Sequence, residues 1–164
     1  MNYSIVYSSK TGNTALLAQK IQALLPQASC VYCGAPDETP AQAGLIFAGF
    51  WTDKGDCDER SSAFLKDLRG KKVFLFGTAG FGGSAEYFEA ILSRVGSHLD
   101  SSNEVVGAYM CQGKMPLAVR QRYESMTPKE PEKMKGLMDN FDRGSSHPNA
   151  ADLEGLAQAV ANCL

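Results

Sequence analysis

The chain has 164 residues, 44% of them hydrophobic and 21% charged, and a formal net charge of −2. That length suits one domain, residues 1–164, with enough buried surface to fold without disulfides or a structural metal. The near-neutral balance gives no footing for nucleic-acid or membrane-surface binding, and no apolar run reaches the roughly 20 residues of a membrane span.

Ser4 to Tyr7 is a short apolar, β-rich run, followed at once by the hydroxyl-rich loop Ser8 to Thr14. Leu17, Ile21 and Leu24 then recur at i, i+4 and i+7, the stripe of an amphipathic helix, which Pro26 stops. Cys30 to Cys33 reads as a second strand. Leu45 to Phe50 is apolar throughout, as a strand buried on both faces would be. A loop from Trp51 to Asp58 follows, then a helix with Phe64, Leu65 and Leu68 inward and Gly70 as its C-terminal punctuation. Val73 to Phe76 is a fourth strand, Gly77 to Gly83 a glycine-rich loop, and Phe88, Ile91, Leu92 and Val95 mark another helix closed by Gly96. Val105 to Met110 is the fifth strand. A last helix begins near Asn149, with Leu153, Leu156, Ala157 and Val160 on one face.

Strands alternating with amphipathic helices predict an α/β fold: a five-stranded, doubly wound parallel sheet with helices on both faces. Residues 113–148 interrupt the alternation before the last helix. This insertion reads as two helices, near Leu117–Met126 and Glu132–Phe141, and its seven basic and five acidic residues leave a local charge of +2. It is either a solvated excursion or a lid or docking arm near the site.

Five cysteines, Cys30, Cys33, Cys57, Cys111 and Cys163, cannot all pair, and no basic flank with a long apolar stretch opens the chain. Both features predict reduced thiols and a cytoplasmic location. Cys30 and Cys33 flank a strand and do not open a helix, so their spacing reads as structural and not redox-active. His98 and His147 lie outside the loops that should form a site. No His, Cys and Asp set has metal-ligand spacing, and no nucleophile elbow is present.

Ser9, Lys10, Thr11, Gly12, Asn13 and Thr14 stand between the first strand and the first helix. A helix N-terminus there offers unpaired N–H groups and a positive dipole end, the hydroxyl and amide side chains add donors, and Gly12 lets the backbone approach an anion. A Walker loop needs a lysine after its last glycine, where Asn13 stands, and a dinucleotide fingerprint needs three glycines where only Gly12 is present. A phosphate monoester of another class is the expected ligand, with a hydroxyl-rich helix cap as the bland alternative.

The run Ser9-x-Thr11-Gly12-Asn13-Thr14 resembles the S/T-x-T-G-x-T phosphate motif of flavodoxins. The resemblance extends over the strand and helix pattern and is weakest across 113–148. It implies strand order 2-1-3-4-5 and flavin mononucleotide (FMN) at the switch point between the first and third strands. It also implies that Gly55 and Asp56 flank the flavin N5, and that Thr78, Ala79, Gly80, Phe81 and Gly82 run along the pyrimidine edge. Trp51, the one tryptophan, is either the stacking residue or a partly buried core aromatic. Ala85 stands where relatives carry an outer stacking tyrosine, so either Phe81 serves or that face is open. The acidic residues Asp53, Asp56, Asp58 and Glu59 would line one edge and disfavour added negative charge on the ring.

The resemblance implies an FMN-binding electron-transfer protein handing electrons to a redox partner protein. The alternative is an FMN-dependent reductase or oxidase of a small aromatic substrate such as a quinone or tetrapyrrole. A flavin-free binding module on the same fold is the second alternative.

Overall fold

In the computed structural model, which describes residues 1–36 and 42–164, strands and helices alternate along the chain. The strands are β1 (Tyr3–Tyr7), β2 (Cys30–Gly34), β3 (Leu45–Asp53), β4 (Asp56–Cys57), β5 (Lys72–Ala79) and β6 (Glu104–Gln112). The helices are α1 (Asn13–Leu24), α2 (Glu59–Asp67), α3 (Ala85–Gly96), α4 (Leu117–Met126), α5 (Pro131–Gly144) and α6 (Ala150–Cys163). Five strands form a parallel sheet in the order β2-β1-β3-β5-β6, which is 2-1-3-4-5 when only these strands are counted. The short β4 pairs antiparallel with β3 at the margin.

Alternate residues of the central strands feed two cores. Val6, Ile46, Ala48, Phe50, Val73 and Leu75 pack with Leu65 of α2 and with Ile91 and Val95 of α3. Ile5, Phe47, Phe74 and Phe76 pack on the other face with Leu17 and Ile21 of α1 and with Leu156 and Val160 of α6. Leu24, which the helical spacing placed on the same stripe, lies in the last turn of α1 and is exposed.

The expected loop from Trp51 to Asp58 is instead a hairpin. β3 continues through Trp51 and Thr52 to Asp53, and the chain turns at Lys54 and Gly55 back into β4. Both turn residues have positive φ, 52° at Lys54 and 81° at Gly55. A two-residue turn of that handedness matches the strand twist, and glycine supplies its second position without steric cost.

The insertion forms α4 and α5 close to the expected bounds. α5 buries Met134, Asn140, Phe141 and Gly144, whereas α4 buries no residue. Arg120 ties the two helices together: Nε and Nη2 each donate to Asp142 at 3.0 Å, and Nη1 donates to Glu124 at 2.7 Å. Those bonds hold the Asp142 carboxyl below the usual range and raise the Arg120 guanidinium. A carboxyl depressed by folding contributes stability above its unfolded pKa, and that contribution is lost as pH falls through the folded value. The Asp142 carboxyl resonance should therefore titrate below about pH 4, the ordinary aspartate value. NMR titration checks this, and Arg120→Met should move the transition up to the ordinary value.

Candidate functional site

The carboxyl ends of β1, β3, β5 and β6 converge on one edge of the sheet. After β1, Ser8 N–H donates to the Gly49 carbonyl at 3.1 Å, and Gly12 opens α1 with φ of 90°. No side chain bonds back from Gly12, and the first turn of α1 carries no acidic residue. The first N–H groups of a helix have no intrahelical acceptor, so this end is positive, with no acidic side chain in the first turn to offset it. A Cβ built at Gly12 meets nothing within 4 Å, which leaves the loop open to an incoming group.

The loop's side chains divide into two sets. Thr11 and Lys10 are exposed. Ser9 Oγ accepts from the Ala15 N–H at 3.2 Å and so serves partly as a cap. Asn13 is buried; its Nδ2 donates to Thr11 Oγ1 at 3.1 Å and to the Lys114 carbonyl at 2.8 Å. That geometry fixes the amide and makes Asn13 a peg between this loop and the segment after β6, leaving its Oδ1 buried without a partner among the described residues. Thr14 is also buried, with its hydroxyl 3.0 Å from the Phe50 carbonyl and 3.1 Å from Thr78 Oγ1. It joins α1 to the ends of β3 and β5.

A cleft of about 110 Å3 lies over these residues. Of the residues expected from sequence, it is lined by Ser9, Lys10, Thr11, Asn13, Thr14, Trp51, Thr78, Ala79 and Gly80. Its lining contains Lys10 and Lys114 and no carboxylate. Lys10 Nζ lies 5.0 Å from the centre of the Trp51 ring, a cation–π contact of about 0.5–1 kcal/mol at such a surface. Thr52, Gly113, Lys114, Met115 and Pro116 also line the cleft and were missed in the sequence. The last four follow the carboxyl end of β6, so the rule that ligands sit beyond strand carboxyl ends was the available signal.

The other expected residues lie apart from this lining. Gly55 and Asp56 fold back on α3, where Arg94 Nη1 donates to the Gly55 carbonyl at 2.8 Å and His98 Nε2 stands 3.0 Å and 3.1 Å from the Asp56 oxygens. Burial pushes the Asp56 carboxyl up, but the Cys57 N–H and the His98 ring outweigh that and hold it below the usual range. Burial also pushes the Cys57 thiol up, to about 12, with Asp56 and Asp58 adding to it. Phe81 is exposed, and Gly82 borders a second cleft, of about 410 Å3, with Arg143, His147 and Asp152.

Asp58 is not at an open edge either. It is buried and caps α2, accepting from Ser61 N–H at 3.2 Å, from Ser61 Oγ at 2.8 Å and from the Trp51 N–H at 3.3 Å. Of the expected acidic rim, Asp56 and Asp58 are thus taken up by internal bonds, whereas Asp53 and Glu59 are exposed. Asp58→Ala should cost about 0.5–2 kcal/mol, the range for a lost N-cap, with some loosening of the Trp51 backbone. Chemical denaturation measures the first, and a red shift in the emission of the single tryptophan reports the second.

A family model described as a flavodoxin domain matches residues 4–161. A flavodoxin-like domain-containing protein, BilS of Clostridium symbiosum, is 37% identical, covering 93% of this chain and 90% of its own length. BilS of Clostridioides difficile is 30% identical over 100% of this chain and 97% of its own. The solution structure of two-electron reduced Megasphaera elsdenii flavodoxin superposes with a TM-score of 0.57 at 24% identity, covering 97% of this chain and 98% of that one. With strand order, phosphate-type loop and family match in agreement, the chain belongs to the flavodoxin domain family.

Proposed function

We propose that the chain binds FMN with its phosphate in the Ser9–Thr14 loop, and that it serves as an electron-transfer protein handing electrons to a redox partner. The carrying observation is the carboxylate-free start of α1 after Gly12, where Ser9 Oγ takes only the Ala15 N–H, with Thr11, Lys10 and Lys114 lining the adjoining cleft. Backbone N–H groups of the first turn and the Thr11 hydroxyl would hold the phosphate oxygens. Lys10 and Lys114 add positive charge that favours a dianion. Trp51 and Met115 supply apolar surface for the flavin ring. The cleft's size suits a phosphate and part of its ribityl chain, so the ring would lie toward the surface beside Trp51, displacing Lys10 or taking the opposite face. Bound FMN supplies the redox chemistry; the chain holds it, orients it and shields it from water.

The purified chain should take up one FMN, retain its visible absorbance through gel filtration, and show quenched Trp51 emission on binding. A colourless chain whose emission ignores added FMN would sink this reading and favour a flavin-free module.

One observation favours the enzyme alternative. In the second cleft, beside the Gly82–Gly83 loop, His147 Nδ1 lies 2.6 Å from Asp152 Oδ2, so a carboxylate orients the imidazole. An oriented imidazole near a flavin could move a proton to a small aromatic substrate. Steady-state turnover of a quinone by the isolated flavin-loaded chain, lost in His147→Gln, would support the enzyme; no turnover supports the carrier.

A further inference from the structure

The β3–β4 hairpin brings the adjacent side chains of Asp56 and Cys57 against His98, which lies 42 residues beyond Asp56 in the chain. The donor atoms of Asp56, Cys57 and His98 all lie within 4.8 Å of one another. Asp56 and Cys57 sit on β4, and His98 follows the C-terminal end of α3. We propose that these three residues bind one divalent transition-metal ion of the zinc class, at a site separate from the cofactor cleft.

The donor set is a thiol sulfur, an imidazole nitrogen and a carboxylate oxygen. Zinc takes that combination, whereas magnesium and calcium prefer oxygen alone. Metal bonds of about 2.0–2.3 Å place tetrahedral ligands roughly 3.3–3.8 Å apart. The His98 to Asp56 separations of 3.0 Å and 3.1 Å need to open by only a few tenths of an ångström. The Cys57 sulfur lies within 4.8 Å of both other donors, so it closes by at most about 1–1.5 Å to reach that spacing.

The frame is rigid for a surface hairpin. The tight turn at Lys54 and Gly55 fixes β4 against β3, Arg94 anchors the Gly55 carbonyl, and the Cys57 N–H holds Asp56 Oδ1 at 2.7 Å. Cys57 is buried while Asp56 and His98 are partly exposed, so one side of the ion would stay open to a water molecule as fourth ligand. Charge also balances. The ion's two positive charges meet one thiolate and one carboxylate, the thiol proton leaves to solvent, and the site becomes neutral. Asp58, next in the chain, adds further negative potential.

The test uses the full chain as purified, in a Cys30→Ser/Cys33→Ser background that removes the competing thiol pair on β2. Zinc is supplied by equilibrium dialysis and counted by plasma mass spectrometry, and flavin content is read on the same samples, so the two sites are scored apart. One zinc per chain is expected, with X-ray absorption showing one sulfur near about 2.3 Å. Cys57→Ser should remove the sulfur signal, and His98→Gln should weaken binding at least about tenfold. His98 is partly exposed, so that variant decides the matter if Cys57→Ser does not fold. Absence of zinc, or zinc retained equally by His98→Gln, overturns the site.

Discussion

Thr11→Asp should lower the affinity for FMN by about 100-fold or more and leave the affinity for riboflavin unchanged. Thr11 is exposed and lines the cleft at the start of α1. A carboxylate there stands within a few ångströms of a bound phosphate. At an effective dielectric near 20, a unit charge facing a near-dianion costs several kcal/mol, and solvent screening leaves about 3, or roughly 100-fold. The fold is not the casualty. Aspartate keeps an acceptor for Asn13 Nδ2, which now donates to Thr11 Oγ1. A negative charge at a helix N-terminus is itself stabilising, by about 0.3–1 kcal/mol. The flavin-free variant should therefore melt at the same temperature or slightly higher while losing FMN, two effects of opposite sign from one substitution. Thr14 is a poorer probe, because its buried hydroxyl joins Phe50 and Thr78 and its loss would unsettle the edge of the sheet. Titrations followed by Trp51 emission give both affinities. Equal loss of FMN and riboflavin would place the phosphate elsewhere.

The parallel sheet was legible because Leu45 to Phe50 of β3 and Val73 to Phe76 of β5 are apolar without interruption, the pattern of strands buried on both faces. The phosphate-type loop was legible because residue type and position, between a strand and a helix, made the same argument. The hairpin was not. Trp51 to Asp58 is polar and holds Gly55, which reads as a loop, yet Lys54 accepts a positive φ and the strand runs on. That continuation carries Asp56 to His98, 42 residues along the chain, and no local pattern encodes so distant a meeting. Asp58 departs from the expected acidic rim for the same reason: it looked like surface charge, but it caps α2 and holds the Trp51 backbone. The lysine that enters the cleft from beyond β6 depends on how the insertion leaves the sheet, which the pegging of Asn13 to Lys114 decides.

Gly77→Ala should destabilise the chain by about 2–3 kcal/mol, near the upper end for overpacking a core. Two register pairs across β3 and β5 set an aromatic ring against a glycine: Gly49 with Phe76, and Phe50 with Gly77. A Cβ at Gly77 would lie 2.3 Å to 2.7 Å from three carbons of the Phe50 ring. Phe50 is 1% exposed, so the ring has no space to yield. Alanine restricts the unfolded chain and recovers about 0.4–1 kcal/mol, which is smaller than the clash and does not change the sign. The melting temperature should fall by about 5–10 °C for a chain of this length. Phe50→Leu in the same chain should restore part of that loss, and the double-mutant cycle should show a coupling of at least about 1 kcal/mol. The strain also reaches the site, since the Phe50 carbonyl accepts the Thr14 hydroxyl and Gly77 precedes Thr78. FMN affinity should drop with stability, and saturating FMN should raise the variant's melting temperature, because ligand binds only the folded form. A cost below about 0.5 kcal/mol, the level of an ordinary surface change, would mean that the rings and glycines do not interlock and that the cleft is positioned by other contacts.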